Sequence, residues 1–587
     1  MIPAYFFPSI RRGNGTGHLV RCLYSADKIA GTSILVHEPG VTIDVDSVSA
    51  LFPSVLLEYN VPGDPLLVIV DQRWTPEEKL SVLHPESIVV AVDESGPLRN
   101  CAEYVVDSLL PPQKGRKRPN IRVGIAAPDN RRSDSPQAVR TALIAYGGED
   151  PAGLSELTLE ALRIDDIFST AEVSLLRGAS FPEHHFFGDV HLIEPQPNIR
   201  ERFADYDVVF TSFGLTAREA RAAGCSVAVV DPSRYHAKLS RREGFFRLGT
   251  RRISKAKLRR LGASPAIGVR NTRDSSAPVA SESVPPQSSL AELLTSIRFG
   301  DRNRCPVCGS TRNLAVARFP TASYFRCGCA GLIYRVGFEA SAETYDSDYF
   351  FADYRAQYGK TYLEDFESIR KAGEGRLDRI ATIRPLTKGE EGSLPSSRLL
   401  DIGCAYGAFL RAAVDRGYDA FGIDVAESPV AYVRDRLEID VARVDALDFE
   451  PGVFGRSMFD VVTLWYVIEH FARFGDLLKR IARWTAPGGI LAFSTPNLRG
   501  VSGRFGFRRF LDGSPQDHFV ILSKRSARLS LRRFGFTVVG MRTTGHHPER
   551  FPILGRVRFL HGLIARFSRM TGLGDTFEVY ARKSRNQ

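Results

Sequence analysis

The sequence predicts a multidomain α/β protein, and three observations carry that prediction. Short apolar runs alternate with helical patterns on both sides of a Ser-, Pro- and Ala-rich stretch, as buried parallel strands joined by crossover helices do. Two glycine-rich turns, "GNGTGHLVRC" near the start and "LLDIGCAYGAF" from Leu399, each follow a strand pattern and open a helical one. Four of the eight cysteines, Cys305, Cys308, Cys327 and Cys329, crowd into 25 residues. The chain of 587 residues is too long for a single hydrophobic core.

The elements justify five segments. "TSILVHE", "PLLVIVDQ", "SIVVAVDES" and "AEYVVDS" read as buried strands of a first half, 1–112. "LLPPQKGRKRPN" breaks the pattern. It resumes with "IRVGIAAP", "TALIAYGG", "AEVSLLRG", "YDVVFTS" and "CSVAVVDP" in a second half, 113–262. Residues 263–298 contain "SPAIGVRNTRDSSAPVASESVPPQSSL", which has no apolar period and reads as a flexible linker. The cysteines define a module at 299–345. A further α/β series, "RLLDIG", "DAFGIDV", "VARVDA", "FDVVTLW", "GILAFST", "FTVVGMR" and "FEVYARK", fills 346–587. No internal repeat is visible.

Composition narrows the function classes without choosing one. Hydrophobic residues at 43% and charged residues at 25% are ordinary for a globular protein. A net charge of +11 and a pI near 9.2 permit phosphate, anionic lipid or nucleic acid as partners. No run of 18 apolar residues predicts a transmembrane helix, and the N-terminus lacks the order of a signal peptide. Clustered rather than framework cysteines suit a reducing, cytoplasmic setting.

The second glycine turn reads G-x-x-x-G, not the G-x-G-x-x-G of a dinucleotide cradle. Asp401 ends the strand before it, and Gly403 and Gly407 flank the turn. Asp424 ends the next strand, 21 residues beyond Gly403, where a carboxylate can accept ribose hydroxyl protons. Asp445 ends a third strand. "FDVVTLWYVIEHF" leads to Glu469 and His470, and "PQDHFVILS" adds His518 as a second candidate for acceptor chemistry.

From about residue 395 to 583 this series resembles the class I, seven-stranded S-adenosylmethionine-dependent methyltransferases. The resemblance implies S-adenosylmethionine as methyl donor. Asp401, Gly403 and Gly407 would hold its methionine and ribose part, Asp424 the ribose, and Asp445 the adenine side. "VIEHF" resembles the branch acting on sugars, quinones and small metabolites, with His470 as candidate general base.

The spacing C-x2-C-x18-C-x-C places four thiolates in two close pairs, which suits a closed tetrahedral structural zinc site. A cysteine module directly before such a domain resembles the sugar C-methyltransferases, although their second pair would be C-x2-C. The N-terminal turn, with Gly15, Gly17, His18 and Arg21, resembles the G-x-G-H-x-x-R turn of the nucleotide-sugar hydrolases of pseudaminic acid biosynthesis, and more distantly a peptidoglycan glycosyltransferase. Both imply a GT-B fold, a pair of Rossmann-like domains. "AYGGEDPAGL", with Gly147, Gly148 and Asp150, and "TSFGLTAREARAAG", with Gly214, Thr216 and Glu219, match that family's loops in order. By that match Glu219 would bind ribose, the loops the diphosphate, and His18 would act as acid–base or substrate-binding residue. Asp71 matches an acidic residue of the family. "DPSRYHAKL" stands where the family has Asn-Gln, so binding is more secure than turnover.

The expectation is a bifunctional chain of glycan biosynthesis, methylating a sugar or glycan-linked substrate, with hydrolysis or transfer of a nucleotide-sugar both open at the N-terminal part. The alternatives are a lipid or quinone methyltransferase with a vestigial GT-B part, and a nucleic-acid-modifying zinc-ribbon methyltransferase. Nucleic acid is not expected, because "STPN" replaces the N/D-P-P-Y/F signature of many base-amino methylases. Finally, residues 547–574 form an insertion between two edge strands. Ile553, Val557, Leu560, Ile564 and Phe567 recur at helical spacing among Arg556, Arg558, Arg566 and Arg569. Packing over the substrate pocket is the favoured reading of that stripe; peripheral contact with an anionic membrane is the other.

Overall fold

The computed structural model describes residues 4–585 apart from 10–16, 30–31, 36–51, 53, 59–66, 76–85, 110–114, 124–129, 135, 148–149, 151, 165–167, 169, 178–189, 195–198, 269–289, 300, 339–353, 356–358 and 386–396. The chain forms two compact units. The first is Met1–Arg302 with Arg318–Thr321; the second is Asn303–Ala317 with Ala322–Gln587.

The first unit contains two parallel sheets among the described residues. One orders its strands Leu56–Glu58, Thr32–Leu35, Ala4–Pro8, Leu67–Asp71, Ile88–Val92, Tyr104–Asp107 and Ile121–Arg122. "LVIVD" and "IVVAV" are buried at every position, as strands covered on both faces must be. The other orders His191–Ile193, Glu172–Leu176, Thr141–Ile144, Val208–Thr211, Ser226–Asp231 and Phe246–Thr250. Its two cores lie on opposite sheet faces, around Ile144, Phe210 and Val230 on one side and Leu143, Val209 and Val229 on the other.

Two sequence boundaries move. Ile121 and Arg122, expected to open the second half at 113, pair with Val106 and Asp107 and extend the first sheet. The span 263–298, read as linker, carries a turn at Pro265–Gly268 and a helix at Leu290–Ser296 with four buried residues. The linker reading therefore narrows to 269–289, which lies outside the described residues.

The second unit has a seven-stranded sheet in the order Asp440–Arg443, Asp419–Asp424, Arg398–Ile402, Phe459–Trp465, Thr485–Pro496, Thr576–Lys583 and Phe536–Thr544. All pairings are parallel except those of Thr576–Lys583, which runs antiparallel to both neighbours. This is an α/β fold with a Rossmann-like parallel core, and it leaves the turns that follow Ile402, Asp424 and Trp465 along one edge. The cysteine segment contributes Leu314–Phe319, Ala322–Arg326 and Ile333–Gly337 to a four-stranded sheet. Its fourth strand, Val520–Ile521, comes from the region that carries the seven-stranded sheet, with Ile333 opposite Ile521 and Tyr334 opposite Val520.

The insertion does not form one helix through Ile553. Pro552 and Gly555 interrupt the pattern, Ile553 itself takes a left-handed φ of 61°, and only His561–Thr571 is α-helical. Of the five stripe residues, Ile564 alone is buried. Val557 and Leu560 are half-buried and Ile553 and Phe567 exposed, so the stripe is packed only in part.

Candidate functional site

The turn after Arg398–Ile402 is built from left-handed residues. Gly403, Ala405 and Gly407 have φ of 71°, 45° and 76°. A Cβ on Gly403 would lie 2.5 Å from Val467 Cγ2, and one on Gly407 2.7 Å from Val433 Cγ2. Glycine is thus demanded by conformation and by neighbours alike. Asp424 ties this turn to the next one. Its Oδ2 accepts the Ala405 N–H at 2.9 Å and its Oδ1 the Ala426 N–H at 2.9 Å. Burial pushes the Asp424 carboxyl up against the pull of those N–H groups. Asp401 is buried beneath the turn, accepts from Thr463 Oγ1 at 2.6 Å, and is pushed up to about 7 by burial, with Arg376 opposing.

Asp445 differs from expectation. Its strand ends at Arg443, and the exposed Asp445 Oδ1 accepts the Leu447 N–H at 2.7 Å, closing a turn two residues beyond. An aromatic wall that the glycine motif does not announce stands beside the turn. Tyr354, Tyr362, Tyr406 and Tyr432 follow one another with ring centroids 5.3, 5.8 and 5.3 Å apart. Burial raises the Tyr362 phenol, and the nearby Asp401 raises it further.

The turn expected to serve the acceptor begins at Tyr466, a bulky residue held at φ 62° immediately after Phe459–Trp465. Its N–H donates to Ser494 Oγ at 3.0 Å. Such strain in a large residue persists where the surroundings over-determine it. The next turn, Ile468–His470, delivers Glu469 and His470. His470 Nδ1 lies 2.6 Å from Asp517 Oδ2, and the His470 and His518 rings meet edge to face at 4.7 Å. Burial, with His470 adding, pushes His518 down to about 4, and burial pushes Glu469 up to about 7. Ligand atoms of Glu469, His470 and His518 lie within 4.8 Å of one another. The structure therefore brings together all three predicted residues and adds Asp517. Phe519 fixes their loop: its N–H donates to the Glu469 carbonyl at 2.9 Å, and its own carbonyl accepts from Arg335 of the cysteine segment at 2.9 Å.

The cysteines sit on two similar turns. Gly309 N–H donates to the Cys305 carbonyl at 2.9 Å, and Gly331 N–H to the Cys327 carbonyl at 3.0 Å, with both glycines left-handed. Sulfur atoms of Cys305, Cys308 and Cys327 lie within 4.8 Å of one another, and Cys329 Sγ is 3.0 Å from Cys327 Sγ. Although partial burial opposes it, hydrogen bonding from Ser310 and Cys329 holds Cys308 down to about 6. Thiols gathered this closely fit a tetrahedral thiolate site for zinc.

In the first unit, His18 and Arg21 share one helix, Gly17–Lys28. His18 Nδ1 lies 2.6 Å from the buried Asp71. Arg21 forks onto Asp71, reaches Asp93 at 2.7 Å, and donates to Ser108. The guanidinium expected to bind a ligand is thus engaged by carboxylates. Despite burial, Arg21 and His18 hold Asp71 below the usual carboxylate range. Glu219 lies on Leu215–Ala222, and burial raises it while Arg200 and Arg21 oppose. Thr216 opens that helix and Gly214 precedes it with extended backbone. Asp150 accepts the Leu154 and Ser155 N–H groups at 2.9 and 2.6 Å, capping Leu154–Ile164, and Gly147 takes a left-handed φ. Gly17 begins its helix, whereas Gly15 and Gly148 lie outside the described residues.

The second unit's strand order and its turn–carboxylate constellation define a class I S-adenosylmethionine-dependent methyltransferase domain. The methyltransferase-domain family matches residues 370–540. The ubiquinone biosynthesis O-methyltransferase of Bordetella avium (strain 197N) is 30% identical over 172 residues, covering 27% of this chain and 69% of that protein. That of Stutzerimonas stutzeri (strain A1501) is 33% identical over 126 residues, 21% of this chain and 53% of that protein. The chain spans about half the length of the first curated relatives it matches. A solved S-adenosylmethionine-dependent methyltransferase from Archaeoglobus fulgidus aligns over 100% of its length and 38% of this chain, at 20% identity and a TM-score of 0.28. The chain belongs to the S-adenosylmethionine-dependent methyltransferases.

Replacing Asp424 with Ala is expected to weaken S-adenosylmethionine binding by roughly 2–4 kcal/mol, because a buried charged acceptor and the tie between two turns are lost together. Calorimetry on the full chain checks it. Unchanged affinity would remove Asp424 from the donor site.

Proposed function

We propose that the second unit transfers a methyl group from S-adenosylmethionine to a hydroxyl of a sugar or glycan-linked acceptor, and that the first unit binds a nucleotide-activated sugar in a GT-B-like arrangement. The observation that carries the methyl-transfer reading is the His470–Asp517 pair at 2.6 Å, three residues beyond Val467, which packs against Gly403 of the glycine turn. The donor supplies an electrophilic methyl when bound. Gly403, Gly407, Asp424 and Asp401 are the residues that would hold it. With Nδ1–H directed to Asp517, His470 keeps Nε2 as an acceptor for the proton of the acceptor hydroxyl. Asp517 fixes that tautomer and stabilises the imidazolium that forms. His518, pushed low by burial, stays neutral across the physiological range and can hydrogen-bond the acceptor without competing charge. Positioning supplies the rest of the barrier reduction.

The sugar reading is supported by the order of nucleotide-sugar motifs in the first unit, with His18 on Asp71 and Glu219 near Arg200. In that reading His18 would act through Nε2, the ring nitrogen turned away from Asp71, either in hydrolysis or in transfer. A second reading, a quinone or lipid phenol as acceptor, is favoured by the similarity to ubiquinone biosynthesis O-methyltransferases. Both acceptors offer a hydroxyl to the same base. Zinc, held by Cys305, Cys308, Cys327 and Cys329, would brace the segment whose Arg335 fixes Phe519 and so the Asp517–His518 loop.

With labelled S-adenosylmethionine, the full chain is assayed against nucleotide sugars, envelope glycan extract and a polyprenylated catechol. His470→Gln is expected to lower kcat about 10²–10⁴-fold with little change in donor KM. Equal turnover would exclude His470 as the base, and labelling confined to the catechol would exclude the sugar reading. Elemental analysis is expected to find about one zinc per chain, with Cys305→Ser losing the metal and lowering turnover. A metal-free chain that is folded and fully active would contradict the bracing role.

A further inference from the structure

The geometry points to the insertion 548–571 as a docking surface for an anionic lipid bilayer. In this stretch Ile553, Leu554, Phe559, Leu563, Phe567 and Met570 are all exposed, Ile553 at 82%, Phe559 at 85% and Met570 at 79%. Apolar side chains this large are rarely left so open at such density on a surface that meets only water. The segment is nevertheless folded. Ile564 and Ser568 are its buried face, His546 Nδ1 lies 2.7 Å from Ser568 Oγ, and His561 Nε2 lies 2.9 Å from the Gly555 carbonyl. Phe551 joins Phe505 to Phe567 with ring centroids 6.3 and 6.5 Å apart. The helix His561–Thr571 is held by one narrow face, and the remainder points outward.

Charge selects the occupant. The stretch carries five arginines and a single acid, Glu549. Arg550 is paired with Asp575, but Arg556, Arg558, Arg566 and Arg569 are exposed and form no ion pair with a described residue. A second copy seated on the same patch would set arginines against arginines. An anionic bilayer interface takes both the apolar side chains and the guanidinium groups.

Topology places this surface at the working edge of the sheet. Thr544 and Pro496 both lie opposite Thr576. The insertion therefore leaves the sheet at the same end as Ser494–Pro496, the strand end against which Tyr466 is fixed. A bilayer bound there would present lipid-tethered or lipid-dissolved acceptors to the edge that carries His470. The inference does not depend on whether the acceptor is a sugar or a phenol.

The test is co-sedimentation of the full chain with phosphatidylcholine vesicles and with vesicles of phosphatidylcholine and phosphatidylglycerol. Pelleting is expected only with phosphatidylglycerol, weakening as salt rises. Arg558→Glu with Arg566→Glu, and separately Phe559→Ser with Leu563→Ser and Met570→Ser, should each lower the partition coefficient by about tenfold or more, with thermal melting and donor binding unchanged. A Phe559→Trp chain supplies a readout free of destabilisation, since its emission should shift to the blue on phosphatidylglycerol vesicles. Absence of pelleting at low salt, equal pelleting on phosphatidylcholine alone, or no emission shift would overturn the proposal. So would self-association abolished by the serine variant in a chain that ignores vesicles, which would assign the patch to a second copy.

Discussion

The carboxylate of Asp424 holds two turns at once, and the candidate site of the second unit depends on that tie. Each oxygen accepts one backbone N–H, from Ala405 and from Ala426, so the glycine turn and the turn after the neighbouring strand cannot separate without exposing a buried acid. Gly403 and Gly407 permit the tie by accepting left-handed φ where Val467 and Val433 leave no space for a Cβ. Val467 belongs to the segment running into Glu469 and His470. The packing that forces glycine at 403 therefore also locates the turn that carries Glu469 and His470.

A second constraint reaches the site from the cysteine segment. Val520–Ile521 completes that segment's sheet, and Phe519 is bonded on one side to Arg335 and on the other to Glu469. Asp517 and His518 lie immediately before this strand. The cysteine segment thus reaches the loop that carries Asp517, the partner of His470.

Local motifs were legible in the sequence and long-range pairings were not. The glycine turn, Asp424, Glu469, His470, His518 and the cysteines were readable because strand, turn and helix follow one another within a short stretch. Asp517 stands next to a residue that was read, yet its partner is 47 residues away and is found only through the sheet. Arg21 read as a ligand-binding residue because Asp71 and Asp93, which engage it, are 50 and 72 residues distant. Asp445 lies two residues past the end of its strand, and apolar alternation does not reveal where pairing stops. The helical period through Ile553 ignored Pro552 and Gly555, whose backbone demands outweigh spacing. Tyr466 gave no signal, since no residue pattern announces a strained φ.

Residues 403–407, 424–426 and the tyrosines beside them would together form one donor site. Hydrogen exchange of the full chain, with and without S-adenosylmethionine, tests it directly. The donor is expected to slow exchange together at the amides of Ala405, Ala426 and Leu447 and in the segment around Tyr362, and to leave the strands of the first unit unchanged. Protection confined to other segments, or no protection at saturating donor, would contradict it.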